Sequence, residues 1–102
     1  MSYVLSASAQ RDLLRILDHY HEVASLRIVR QMTTEFVQSF RFLERNPGAG
    51  HTREDVRSKT VLFWPLRDYL IVYRATSKPL EIVMIIHGSQ DIPALLNRRD
   101  LG

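Results

Sequence analysis

The sequence predicts an α+β fold in the order β-α-α-β-β-β, with a helical hairpin packed on a small antiparallel sheet and a short C-terminal helix. Three observations carry this. Apolar residues recur with a period near 3.6 up to about residue 45 and with a period near 2 beyond about residue 60, and "NPGAGH" at 46–51 lies where the period changes. The third is size: 102 residues, 45% of them hydrophobic, suit a single domain over 1–102 with one compact core and leave no room for a second.

"YVLS" opens as a short strand and stops at Ser6, a residue suited to N-cap the helix that follows. In "ASAQRDLLRILDHYHEVA", Ala9, Leu13, Ile16, Leu17 and Tyr20 share one face, with Arg11, Asp12, Arg15 and Asp18 mostly outside it. After a break around Ser25, the residues Val29, Met32, Phe36, Phe40 and Leu43 mark the buried stripe of a second helix, antiparallel to the first. Asn46, Pro47 and Gly48 end it, because Asn and Gly tolerate positive φ and Pro cannot continue the ladder.

"KTVLFWPL", "YLIVYRA" and "LEIVMIIHG" have strand length and are rich in β-branched and aromatic residues. Their connections, "RD" and "TSKP", are short enough for hairpins, which predicts an antiparallel meander. "IVMII" is apolar on both faces, as a central strand covered on each side would be. In "DIPALLNRR", Asp91 as N-cap and Pro93 in the first turn predict the terminal helix.

Composition excludes several classes. With no cysteine there is no disulfide framework and no thiolate metal site. No stretch approaches the roughly 20 apolar residues of a membrane span, and "MSYVLSASAQRD" lacks the pattern of a secretory leader, so a cytoplasmic protein without membrane contact is expected. The net charge is +3 and the pI near 9.7, with arginine supplying all the cations except Lys59 and Lys78. Guanidinium groups suit bidentate pairing with carboxylate or phosphate. The charge forms no basic block, so sequence-specific binding to nucleic acid is not expected.

Chemistry-bearing motifs are few. His19 and His21 are spaced i, i+2 on a helix, where their side chains diverge by about 200°, so no metal site is expected. No nucleophile set and no phosphate-cradling Gly-rich loop is present, and no cofactor is called for. Trp64, Tyr69 and Tyr73 lie on strands, where packing competes with base stacking as their role. Arg74 interrupts the apolar run "LIVYRA" and needs a partner; an ion pair with Glu81 across the hairpin and a contact to another molecule are both open.

Taken together, "LSASAQRDLLRILDHY", "NPGAGHTREDV", "FWPLRDYLIVYR" and "LEIVMIIHGSQDI" resemble the ParE/RelE superfamily of toxins from type II toxin–antitoxin systems, in its ParE-like branch. The resemblance covers nearly the whole chain in the expected order. It implies the RelE/ParE-like toxin fold and a protein that inhibits DNA gyrase by binding. It also implies a ParD-like antitoxin that holds the toxin inactive in a hetero-oligomer; a homo-oligomer stays open.

The RelE-like branch instead cuts mRNA on the ribosome. That reaction needs a group to take the 2′-OH proton, a cation at the phosphorane and an acid for the leaving oxygen. RelE-like nucleases resembling this chain carry an Arg two residues before the "VY" of the third strand and basic or tyrosyl groups after the fourth. Here those places read Leu70 and Gly88, Ser89, Gln90, Asp91, which favours a non-enzymatic toxin; a nuclease would rely on His51, Arg53, Arg74 and His87. The candidates for target or antitoxin contact are His51, Arg53, Trp64, Tyr73, Arg74 and His87, with His51 and Arg53 foremost because they follow a fixed loop.

Overall fold

The computed structural model describes residues 2–57 and 60–98. Its elements follow the predicted order: β1 Tyr3–Leu5, α1 Ala7–Val23, α2 Leu26–Arg45, a 3-10 turn Pro47–Ala49, β2 Val61–Leu66, β3 Tyr69–Arg74, β4 Leu80–His87 and α3 Ile92–Arg98. Lys59, placed by the sequence at the head of the second strand, and Arg99, placed in the terminal helix, lie outside the described residues. The expected caps form at Ser6 and Asp91, and Ser25 adds a third. The Ser6 and Ser25 hydroxyls accept from the backbone N–H groups of Ala9 and Ile28, and the Asp91 carboxylate accepts from that of Ala94.

The strands run in the order β1-β4-β3-β2. The meander is antiparallel as predicted, and β1 adds a parallel edge, with Tyr3, Val4 and Leu5 opposite Leu80, Glu81 and Ile82, so the sheet is mixed. β2 is the other edge, and Pro65 within it withholds an N–H that would face outward.

The expected single core is in fact two, because the central strands are covered on both sides. The hairpin of α1 and α2 packs Ile16, Met32, Phe36, Phe40 and Leu43 on Tyr69, Ile71, Tyr73, Ile82 and Ile85. On the opposite face, Val56 and the α3 residues Ile92 and Leu96 pack on Val61, Phe63, Val72, Met84 and Ile86. β4 serves both faces through a bulge. Val72 pairs with Met84 and Tyr73 with Ile82, so Val83 is the extra residue and the alternation shifts by one.

One residue reverses its sequence assignment. Asp12 belongs to the buried face of α1, at 5% exposure, where its Oδ2 accepts from the Ile85 N–H at 3.0 Å. The cause lies in strand lengths. β1 covers only Leu80–Ile82 of β4, which leaves the remaining edge of β4 without a neighbouring strand among the described residues. Side chains complete it: the Ser6 hydroxyl donates to the Val83 carbonyl at 2.6 Å, Asp12 takes the Ile85 N–H, and Gln90 Oε1 accepts from the His87 N–H.

The β2–β3 hairpin closes through Arg67 and Asp68 alone, and Arg67 adopts φ of 55°. That conformation costs a non-glycine residue roughly 1 kcal/mol. A bidentate pair with Glu35 of α2 helps hold it, with Nε–Oε1 at 2.7 Å and Nη2–Oε2 at 2.8 Å. The Arg67 hydrogen bonds hold the Glu35 carboxyl below its ordinary pKa. A lowered folded-state pKa gives stability that is present above the unfolded-state value and lost as the pH falls through the folded one. Glu35→Gln is therefore expected to flatten the loss of stability between about pH 5 and pH 3, at a cost near neutrality of about 0.5–1 kcal/mol. Denaturant midpoints across that range check it.

Candidate functional surface

The "NPGAGH" loop is built around Tyr73. This ring is fully buried, its hydroxyl donates to the Pro47 carbonyl at 2.6 Å, and it accepts from the Gly50 N–H at 2.9 Å. Burial pushes the Tyr73 pKa up, and the Gly50 hydrogen bond pulls the other way. Tyr73 is thus withdrawn from the contact candidates: no atom of it is available to a partner, and its work is to fix the loop. Gly50 owes its identity to close approach rather than to positive φ, since a Cβ there would stand 2.7 Å from the Tyr73 hydroxyl and 2.9 Å from the Phe63 carbonyl.

Beyond the loop, His51 continues the sheet. Its N–H donates to the Phe63 carbonyl at 2.9 Å and its carbonyl accepts from the Phe63 N–H at 2.8 Å, which leaves the imidazole exposed on the β2 edge. Arg53 lies beside it with its guanidinium 5.8 Å from the centroid of the Phe63 ring, and it forms a bidentate pair with Asp55. His51 and Arg53 therefore share one edge. Trp64, on the same strand but the other face, packs on Phe42 with centroids 5.1 Å apart, and the partly buried indole and the exposed phenyl ring form an aromatic ledge at the end of α2.

Arg74 meets the carboxylate the sequence suggested. It stands opposite Glu81 in the ladder, with Nε 3.1 Å from Glu81 Oε1, and its Nη1 lies 3.3 Å from the Thr60 hydroxyl. At 29% and 36% side-chain exposure the pair is wet. Arg74→Ala is expected to lower stability by only about 0–1 kcal/mol, read as a small shift in a denaturation midpoint.

His87 ends β4, edge-on to Tyr69 with centroids 5.3 Å apart. Its Nδ1 accepts from the Ser89 N–H at 3.1 Å and lies 2.6 Å from the Ser89 hydroxyl, which assigns the proton of the neutral ring to Nε2. Burial, then the Tyr20 hydroxyl, pushes the Tyr69 pKa far up. His87, Tyr69 and Gln90 line a cleft of about 290 Å³ with Asp12, Arg15 and His19 of α1. Sequence reading missed Arg15 and His19 as partners of this cleft, because nothing local shows that α1 lies along the edge of β4.

The four residues of the nuclease alternative do not converge. Arg74 and His87 stand at opposite ends of the β3–β4 ladder, five residues apart along β3 and hence roughly 17 Å. His51 and Arg53 occupy a third place, at the β2 edge.

Among the described residues no helix is long and apolar enough to cross a membrane. The fold is similar to that of a chain in the solved structure of the chromosomal ParDE toxin–antitoxin system from P. aeruginosa, with a TM-score of 0.70 and 24% sequence identity over 85% of this chain and 95% of that one. No curated protein sequence matches. The sequence profile of the ParE toxin of the parDE type II toxin–antitoxin system matches residues 3–92, which takes in every element from β1 to the start of α3. The chain belongs to the ParE toxin family of type II toxin–antitoxin systems.

Proposed function

We propose that this toxin acts by binding DNA gyrase in the cytoplasm, without catalysis, and that a ParD-like antitoxin neutralises it in a hetero-oligomer. The observation that carries the non-enzymatic reading is the separation of Arg74 from His87 along β3 and β4. Cleavage through a 2′-OH needs base, cation and acid within hydrogen-bond reach of one phosphate. Leu70 supports the same reading: it offers an aliphatic side chain, packed beside the α3-side core, where a nuclease of this superfamily would carry a cation.

The antitoxin reading is supported by apolar side chains left in solvent. Leu14, Val23 and Leu26 are more than half exposed on the helical hairpin, and the Phe42–Trp64 pair adds apolar surface near the other end of α2. An amphipathic segment that folds as it binds would cover such surface. Mapping RNA 5′ ends after induction tests the mode of action. The expected result is no codon-linked cleavage, and codon-linked cuts that vanish in His87→Ala would make the protein a ribosome-dependent nuclease.

A further inference from the structure

A second cleft, of about 530 Å³, opens on the other side of Arg15, at the β4 edge beyond β1, lined by the first half of α1 and by Arg74, Glu81 and Val83 of the sheet. Arg11 and Arg15 are spaced i, i+4 and project from one side of the helix. Arg74 of β3 and the buried Val83, the bulged residue of β4, share the lining with them. The Arg15 side chain is 75% exposed although its guanidinium lies 3.8 Å from Asp12. On the same sheet face Val4, the register partner of Glu81, is 43% exposed and adds apolar surface at the rim.

We propose that this cleft is a recognition site for the carboxylate side chains of an acidic peptide segment, with Arg11 and Arg15 as its reading cations and Arg74 as its far wall. The proposal rests on the antitoxin reading, since the antitoxin is the partner that would supply such a segment. Charge selects a peptide over a nucleic acid. Three arginines against the carboxylates of Asp12 and Glu81 leave one net positive charge in the lining. A phosphodiester backbone binds by neutralising several phosphates in succession, and here it would set phosphates against Glu81. A peptide offers carboxylates at intervals, apolar side chains for Val4, and backbone N–H groups for Glu81. Guanidinium is the cation whose fork matches a carboxylate.

The test follows the arginine Nε–Hε signals of the full chain by NMR during titration with a blocked hexapeptide alternating glutamate and leucine. A glutamine version of the peptide and hexauridylate serve as controls. The expected result is saturable shifts of Arg11 and Arg15, with none from the glutamine peptide and weaker ones from hexauridylate. Arg11→Gln with Arg15→Gln, two exposed positions whose loss leaves the amide spectrum native, should weaken the peptide by about tenfold. Equal response to glutamate and glutamine peptides, a stronger response to hexauridylate, or shifts spread evenly over the arginines of α2 would overturn the proposal. Capture of a ParD-like antitoxin by the wild-type and double-variant chains separates the two ideas. Equal binding to the wild-type and double-variant chains overturns the site and leaves the antitoxin reading standing. No binding to the wild type removes that reading and this proposal with it.

Discussion

Asp12→Ala is expected to lower stability by about 1.5–3 kcal/mol, the cost of stranding a buried donor that now gives its hydrogen bond to a carboxylate. The stranded donor is the Ile85 N–H, on a β4 edge that no strand of the described residues covers at that point. Water cannot readily replace the carboxylate, because Ile85 is 3% exposed and Asp12 itself 5%. Asp12→Asn keeps an acceptor of the same reach and gives up only the charge, so it should cost less than half as much. Equilibrium unfolding of the two variants checks the ordering; equal losses would mean that charge, and not the hydrogen bond, is what the site requires. Hydrogen exchange gives a second reading, since the Ile85 amide should lose protection in the alanine variant before the β3-facing amides of β4 do.

Gly50→Ala is the second large effect, expected at about 1–3 kcal/mol from overpacking. A methyl group there would meet the Tyr73 ring and hydroxyl and a backbone carbonyl of β2, none of which is the loose end of a flexible side chain. Gly48 supplies the control. Nothing lies within 4 Å of its notional Cβ and its φ is not positive, so Gly48→Ala should change stability by no more than about 0.5 kcal/mol. Tyr73→Phe leaves the Pro47 carbonyl and the Gly50 N–H without the phenol and should cost about 1–2 kcal/mol. Thermal or denaturant midpoints for the three variants place them in order, and a harmless Gly50→Ala would show that the loop is not seated on Tyr73.

Much of the fold was legible because periodicity reports burial directly. The stripe of Met32, Phe36, Phe40 and Leu43 could only be the inner face of a helix, and all four are buried. "IVMII" could only be a strand covered twice, and it lies between β1 and β3 with cores on both faces. What stayed hidden depends on neighbours distant in sequence. Asp12 is polar by composition and buried by circumstance, since its partner lies 73 positions away. The length of the Arg67–Asp68 hairpin was readable, but the positive φ of Arg67 was not, because it is held in part by Glu35 on another element. For the functional surface the sequence supplied candidates without places: Arg74 and Glu81 fell together as the strand register suggested, whereas Tyr73 turned inward because the loop needed its hydroxyl.

The most direct measurement is a supercoiling assay with purified gyrase, relaxed plasmid and this chain, run beside a translation reaction in which mRNA integrity is read at the 5′ ends. Inhibition of supercoiling that rises with toxin concentration, with intact mRNA on the ribosome, is the expected result. Undiminished supercoiling together with codon-linked cleavage would contradict the gyrase-binding reading and return His87 to the role of a nuclease residue.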